Sequence, residues 1–440
     1  MARHRTLTTK LLDMHMSMQS SEHGTPVHII GAGPGGLATA AALRERGIKA
    51  VVLEKSPAVG ASWRAHYDRL RLHTTRRWST LPGLSIPRAY GRWVARDDYV
   101  RYLESYASYH RIEVATGVEV DRIDRTGEEW TLHANGGRRL YAPAVVVATG
   151  HNHTAYIPDW PGRAAFTGDF LHASRYRGAE PYHGKDVLVV GAGNTGAEIA
   201  ADLAERGAAR VRLAVRTPPH IIRRSTAGWP AQAGGILCRR LPPRLVDRLA
   251  ARASRLGGGR DLTEYGLPRP PGVVAAVPVA ASGAAGASGA AGASGAPASV
   301  PDAAPASVPD AGEAGLYSRA LQGAIPVVDV GITEAVRKGH VQPVAAVRAF
   351  DGADVELADG TTVTPDVVIA ATGFSRGLEP LVGHLGVLDA EGRPLAHGPR
   401  THPEAPGLHF TGFTNPISGM LRELSLDAGR IARAISRNAV

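Results

Sequence analysis

The chain has 440 residues, 44% hydrophobic and 20% charged, enough to bury a large core and to divide into two domains with inserts. Its formal net charge of +10 is scattered and carried almost wholly by arginine, with only 5 Lys among 50 basic residues; no aromatic–basic motif accompanies it, so nucleic-acid binding is not expected. A single cysteine, Cys238, excludes an internal disulfide framework, a thiolate metal site and a redox Cys-x-x-Cys pair; with no stretch of about 18 uninterrupted apolar residues, a cytoplasmic protein that spans no membrane is expected.

Residues 1–25 are polar and mildly basic and lack the apolar core of a signal peptide, which predicts a disordered tail. An apolar run at 27–30 ends on Gly31, a helix-like run follows from 37 to 46, and 50–54 is again strand-like. That order is one βαβ unit. In Gly31-Ala32-Gly33-Pro34-Gly35-Gly36, Gly31 permits the tight turn, Gly33 lets the backbone approach a pyrophosphate, and Gly36 lets helix and strand pack closely. The helix N-terminus offers N–H groups and a partial positive charge to the phosphates. Glu54, closing the next strand, is placed to accept hydrogen bonds from an adenosine ribose. Tyr99, Tyr102, Leu103 and Tyr106 recur at helical spacing and predict a packed face. Short strands follow between 118 and 149, with Asn135-Gly136-Gly137 as a hairpin turn. His151-x-His153 has the look of a metal pair but lacks further spaced ligands, so no metal is expected.

The βαβ pattern repeats over residues 186–216 around Gly191-Ala192-Gly193-Asn194-Thr195-Gly196. Here the second strand closes on Arg216-Thr217 and not on a carboxylate, which favours the 2′-phosphate of NADPH; Arg223 and Arg224 are weaker candidates. Asn194 suits a helix cap or a contact with NADP. From about 257 to 315 the chain is dominated by Ala, Ser, Gly and Pro, a composition that cannot offset its ordering entropy and predicts a disordered insert. Strand-like runs resume at 325–330 and 363–373. Two cradles mean two dinucleotides, one held tightly and one exchanged, which is the logic of a flavoprotein reductase or oxygenase. FAD is expected in the first.

At this point the residues resemble a known family, the class B flavin-dependent monooxygenases, also called flavin-containing monooxygenases. Phe166-x-Gly168-x-x-x-His172-x-x-x-Tyr176 matches the family's identifying motif just before the second cradle. Tyr176-Arg177 at its end, where the Baeyer–Villiger branch has Trp followed by Pro or Asp, tilts the likeness to the flavin-containing branch. Ala148-Thr149-Gly150 and Ala371-Thr372-Gly373 look like the crossings between the FAD and NADPH domains. Gly60-Ala61-Ser62-Trp63-Arg64 looks like the Gly-Gly-x-Trp segment near the flavin, and the stretch from Gly407 to Phe413, with Gly412, looks like the late strand returning to the isoalloxazine. Within the family the subgroup most similar is the YUCCA type, which converts indole-3-pyruvate to indole-3-acetate. Tyr67-Asp68-Arg69-Leu70-Arg71-Leu72-His73 and Val328-Asp329-Val330-Gly331 carry that likeness.

The resemblance implies an α/β architecture of two Rossmann-like domains, the FAD domain discontinuous and the NADPH domain inserted into it. With the residue patterns, it predicts FAD-binding parts at 26–157 and 336–440 and an NADPH domain at 158–335. It implies a monooxygenase that takes NADPH, dioxygen and a small organic substrate and works through a flavin C4a-(hydro)peroxide. Decarboxylation of a 2-oxo acid, N- or S-oxygenation and Baeyer–Villiger chemistry stand as alternatives, and a non-catalytic nucleotide-binding regulator as a remote one. The expected cofactor contacts are Gly31, Gly33, Gly35, Gly36, Glu54, Trp63, Arg64, Thr149, Gly150, Gly191, Gly193, Asn194, Thr195, Gly196, Arg216, Thr217, Ala371, Thr372, Gly373 and Gly412. No side-chain nucleophile is required. His73 and Thr74, which stand where the family often has an Asn, together with His172 and Asn194 are the candidates near the reacting atoms, and His172 is expected to position rather than to transfer protons. The sequence leaves oligomeric state open.

Overall fold

A computed structural model describes residues 25–239, 241–256, 262–267, 318 and 325–438. The expected N-terminal tail and almost all of the low-complexity insert lie outside the described residues.

The chain opens with β1 (Val27–Ile30), α1 (Pro34–Arg44) and β2 (Ala50–Glu54). All of β1 is buried, as is every residue of α1 from Pro34 to Leu43. Four alanines in this helix keep its profile thin, so it lies close on the sheet. A single turn, α2 (Ala61–Arg64), and a longer helix, α3 (Arg96–Tyr109), precede β3 (Glu113–Thr116). Tyr99, Tyr102, Leu103 and Tyr106 of α3 are all buried, and the Tyr102 and Tyr106 hydroxyls donate to the carbonyls of Leu84 and Pro82. They form a packed face. An antiparallel meander of β4 (Val120–Thr126), β5 (Glu129–Ala134) and β6 (Arg138–Ala142) follows, with residues 135–137 turning the second hairpin, and then β7 (Val145–Val147).

The second βαβ unit is built from β8 (Asp169–His172), β9 (Asp186–Val190), α4 (Asn194–Glu205) and β10 (Arg210–Val215). Beyond it come α5 (Ala231–Cys238), β11 (Gln342–Ala345), a second small meander of β12 (Val347–Asp351), β13 (Asp354–Leu357) and β14 (Thr362–Val363), then β15 (Val367–Ala370), β16 (Leu408–Phe410) and α6 (Met420–Asn438).

Two five-stranded sheets result, each wholly parallel: β16-β7-β1-β2-β3 and β11-β10-β9-β15-β8. Helices cover parallel sheets, so central strands read as unbroken apolar runs, as β7 and β15 do. The late strand β16 joins the first sheet beside β7, which makes that unit discontinuous in sequence. α6 closes it: Leu421, Leu424, Ala428, Ile431 and Ile435 recur at helical spacing and pack with Leu37 and Ala41 of α1 in one core cluster. Full burial of each Leu or Ile contributes about 1.5–3 kcal/mol.

The return to the first unit, expected from the sequence at 336, comes later. β11 and β15 lie beyond that position and belong to the second sheet, β15 between β9 and β8 near its centre. A short apolar run such as 367–370 suits the middle of either sheet, and only its register with β9, Val187 against Val367 onward, decides which one it joins. Among the described residues no helix is long and apolar enough to cross a membrane.

Candidate active site

The first cradle is set by backbone geometry. Gly31 turns at φ +107°, and a Cβ there would lie 2.7 Å from the carbonyl oxygen of Ala148. A Cβ on Gly36 would lie well under 3.0 Å from the carbonyl oxygen of Gly31, so α1 rests on the turn itself. Gly33 is different: nothing stands within 4 Å of its missing Cβ. No side chain caps α1, and Pro34 occupies its first turn, leaving the Gly35 and Gly36 amides for an external acceptor. Glu54 is nearly buried, and its two oxygens accept from the amides of Ala32 at 2.8 Å and Ser56 at 2.9 Å. A carboxylate has further lone pairs, so the loop orients Glu54 without exhausting it.

Two hydroxyls flank this loop, Thr149 after β7 and Thr411 after β16. Both Oγ1 atoms are buried without a hydrogen-bond partner, and a Cβ on Gly35 would come within 3.4 Å of the Thr411 methyl. Orphaned buried hydroxyls flanking a glycine turn are what a polar ligand such as FAD would satisfy. The surroundings fit the group. The Gly60 amide donates to Ala32 at 3.0 Å and ties the next segment to the cradle. Of the two residues expected there, Trp63 packs edge-on against Tyr99 with centroids 4.6 Å apart, and Arg64 is ion-paired with Glu104 at 2.7 Å on the surface. Gly150 and Gly412 follow the ends of β7 and β16 with positive φ.

The second cradle repeats the first. Gly191 turns at φ +110° with a missing Cβ 2.5 Å from the Ala371 carbonyl oxygen, Gly196 is closed by the Gly191 carbonyl, and Gly193 is open. Gly193 is the N-cap of α4, so Asn194 and Thr195 stand in its first turn. The Asn194 side chain is not the expected cap: its amide donates to the Pro326 carbonyl at 3.0 Å and its oxygen accepts from the Val328 amide at 2.8 Å. Arg216 and Thr217 follow β10 and are exposed. Of the alternatives, Arg223 is exposed as well, whereas Arg224 is not. Arg224 lies 4.5 Å over the Trp93 ring, and burial pulls its pKa down.

The two units are joined by paired crossings, in which Thr154–Ala155 and Phe374–Ser375 run antiparallel. Thr372 Oγ1 donates to the Tyr156 carbonyl, and Gly373 carries φ +90°. His172 fastens this junction. Its Nε2 donates to the Gly373 carbonyl at 3.1 Å while Nδ1 accepts from the Ser174 amide at 3.1 Å. Burial pulls its pKa down, so the ring is neutral with both nitrogens engaged.

α4 makes the other junction, through two buried acids that the sequence analysis did not single out. His73 Nε2 lies 2.5 Å from Glu198 Oε1. Burial, then the Glu198 carboxylate, pushes the Tyr67 hydroxyl pKa up. Asp202 accepts from the Tyr176 hydroxyl at 2.7 Å and pairs with Arg69 at 3.4 Å and Arg206 at 3.1 Å. The signal was present, since acids four residues apart on an otherwise apolar stretch of helix face one way. Gln232 gave no such signal. It accepts from the Thr75 amide at 3.0 Å and donates to the Ser418 carbonyl at 2.9 Å. Thr74 lies 2.7 Å from Ser79, hydroxyl to hydroxyl. Of the histidine pair 151 and 153, His151 reaches the Thr414 carbonyl at 3.4 Å and His153 stands beside Lys55 at 3.3 Å.

Residues 28–227 match the family model described as pyridine nucleotide-disulphide oxidoreductase. Disulfide exchange takes a pair of sulfurs, and this chain has Cys238 alone. Indole-3-pyruvate monooxygenase YUCCA1 of Oryza sativa subsp. japonica is 32% identical over 412 residues, 92% of this chain and 90% of that protein. Among solved structures, the flavin-containing monooxygenase from Stenotrophomonas maltophilia is similar in fold, with a TM-score of 0.64 at 22% identity over 94% of this chain and 99% of that one. So is OTEMO, described in complex with FAD and NADP, with a TM-score of 0.63 at 16% identity over 94% of this chain and 86% of that one. With 32% identity over 92% of its length, and with both glycine cradles and the motif that ends on Tyr176 in its own sequence, the chain belongs to the class B flavin-dependent monooxygenases, the flavin-containing monooxygenase family.

Proposed function

We propose that the protein is an NADPH- and FAD-dependent monooxygenase whose reaction is the oxidative decarboxylation of a 2-oxo acid such as indole-3-pyruvate. The observation that carries this reading is the 32% identity to an indole-3-pyruvate monooxygenase over 92% of the chain. When bound, FAD supplies the oxygen-activating chemistry and NADPH the hydride.

The chain's own residues bind and orient. The Gly35 and Gly36 amides and the Thr149 and Thr411 hydroxyls would hold the FAD phosphates and hydroxyls, and Glu54 would hold the adenosine ribose. Gly193 gives the nicotinamide dinucleotide its closest approach to the backbone, with the first-turn amides of α4 beneath it. Arg216, with no carboxylate partner among the described residues, meets the 2′-phosphate. His172 holds the crossing between the units and moves no proton, since its ring nitrogens serve two backbone groups. His73 and Glu198 hold the segment from 66 to 79 against α4. The FAD unit comprises residues 26–157 and 374–438, and the nicotinamide unit 158–373.

The test is product analysis by mass spectrometry after the yellow holoprotein is incubated with NADPH, oxygen and indole-3-pyruvate. Catalase is present, and a peroxide-only reaction serves as control. Indole-3-acetate above the control, carrying one atom from labelled dioxygen, is expected. NADPH consumption with release of peroxide alone refutes indole-3-pyruvate as the substrate. Ester or lactone formed from a ketone, or oxide formed from an amine or sulfide, would put another oxygenation in its place.

A further inference from the structure

A cleft of about 620 Å³ opens beside the segment that leaves β16, lined by residues 413–418 together with Arg239, Arg376, Arg393 and Arg430. It begins two residues after Thr411, the residue that flanks the first cradle at Gly35. Two carboxylates also line it, Asp389 and Glu423.

The four cations are not equivalent. Arg393 lies 2.8 Å from both Asp389 and Glu391. Arg430 pairs with Asp427 at 3.1 Å, and Arg239 with Glu423 at 3.4 Å. Glu423 is further paired with Arg422 and accepts from the Ser418 hydroxyl at 2.6 Å. Arg376 alone among the lining arginines has no carboxylate within ion-pair distance among the described residues. Its Nη1 donates to the backbone carbonyl of Glu391 at 3.0 Å, and its Nε is buried with no acceptor. Leaving a charged donor buried and unpaired is costly, and an arginine fork is shaped to take a carboxylate with two parallel hydrogen bonds. Phe413, Pro416 and Ile417, which line the same cleft, offer apolar surface for the rest of an organic molecule.

We infer that this cleft binds the carboxylate of an organic acid substrate, with Arg376 as its anchor. The inference rests on the 2-oxo acid reading for the identity of that acid, and the two are separable by experiment. The holoprotein is titrated calorimetrically with indole-3-acetate and with its uncharged amide, indole-3-acetamide. The acid is expected to bind more tightly. Arg376→Met should weaken the acid by about tenfold to a hundredfold, as loss of a charge-assisted pair implies, and leave the amide nearly unchanged; Arg376→Lys should restore part of the difference. Should Arg376→Met fail to fold, Asn415→Asp provides a second arm. It adds a negative charge to the lining of the same cleft with no change of shape, and should weaken the acid selectively. Equal weakening of acid and amide, or no preference in the unmodified protein, overturns the inference. Turnover of indole-3-pyruvate without preference for the acid removes the site and keeps the reaction, whereas selective acid binding without decarboxylated product keeps the site and removes the reaction.

Discussion

Two alanine substitutions three residues apart separate the fold from the cofactor. At Gly36 a Cβ would lie well under 3.0 Å from the Gly31 carbonyl oxygen and 3.3 Å from Ile29 Cγ2. The first obstacle is backbone, so relief requires lifting α1 off β1, where both elements are buried. Overpacking costs about 1–3 kcal/mol, and the backbone obstacle puts Gly36→Ala at the upper end, about 3 kcal/mol out of the 5–15 kcal/mol typical of a whole protein. At Gly33 the backbone is extended, with φ −82° and ψ −177°, a conformation alanine adopts freely, and no heavy atom stands within 4 Å. Gly33→Ala should therefore leave the apoprotein as stable as before, or more so by about 0.4–1 kcal/mol through the unfolded chain. The new methyl nevertheless occupies the approach of the pyrophosphate. Losing one charge-assisted backbone contact costs about 1.5–3 kcal/mol, a rise of about tenfold to a hundredfold in the Kd for FAD. Denaturant unfolding of the two apoproteins and fluorescence titration with FAD measure both quantities. Unaltered FAD affinity in Gly33→Ala, or unaltered stability in Gly36→Ala, would refute the assignment of these glycines.

The same reasoning at the second cradle predicts that Gly193→Ala, also free of neighbours within 4 Å, raises the Kd for NADPH and leaves FAD content intact; equal loss of both cofactors in the purified protein would contradict it. Arg216 is exposed, so Arg216→Ala should cost NADPH toward the low end of the charge-assisted range, about 1.5 kcal/mol or tenfold in kcat/KM, and leave NADH nearly unchanged; parallel losses in steady-state assays with the two coenzymes would remove its role. His28 is buried in β1, and desolvation pulls its pKa down to about 4 from 6.5. The unfolded chain takes up that proton first, so stability present above pH 6.5 is lost as pH falls toward 4, by about 2 kcal/mol at pH 5. His28→Leu should remove this slope, and a stability difference from the parent protein that stays constant between pH 7.5 and pH 5 in urea unfolding would rule out the buried ring as its source.

The cradles were legible because their requirements are local and steric. A turn at positive φ, an open approach and a helix pressed on a carbonyl each demand glycine at a set spacing, and Gly31, Gly33 and Gly36 repeat at Gly191, Gly193 and Gly196 with the same contacts. The meander turn at 135–137 and the tyrosine face of α3 were readable for the same reason. What depends on distant partners was not. Asn194 looks like a cap or a cofactor contact in sequence, yet its partners are backbone groups more than 130 positions along the chain. Arg64 beside Trp63 carries a family likeness, but its guanidinium is held by Glu104, forty positions away on the surface. The run at β15 was visible as a strand; its sheet was not, because an apolar strand of that length carries no address.

The hardest feature to read is the one that joins the two units. α4 begins at the nicotinamide cradle, and one turn later its buried acids reach away from it: Glu198 to His73, Asp202 to Arg69 and to Tyr176 of the family motif. Breaking one side of a buried charged pair costs about 3–5 kcal/mol, because the partner is left desolvated and alone. The segment from 66 to 79 therefore cannot slide along α4 without exposing or orphaning a carboxylate. That same segment is tied through Thr75 and Gln232 to Ser418, on the chain returning from the first cradle. Short, directional, buried contacts thus link the N-terminus of the second cradle's helix to both strands of chain that frame the first. The approach of one cradle to the other is fixed by the paired crossings and by side chains on this one helix, and Tyr176, at the end of the family motif, bears on it through Asp202.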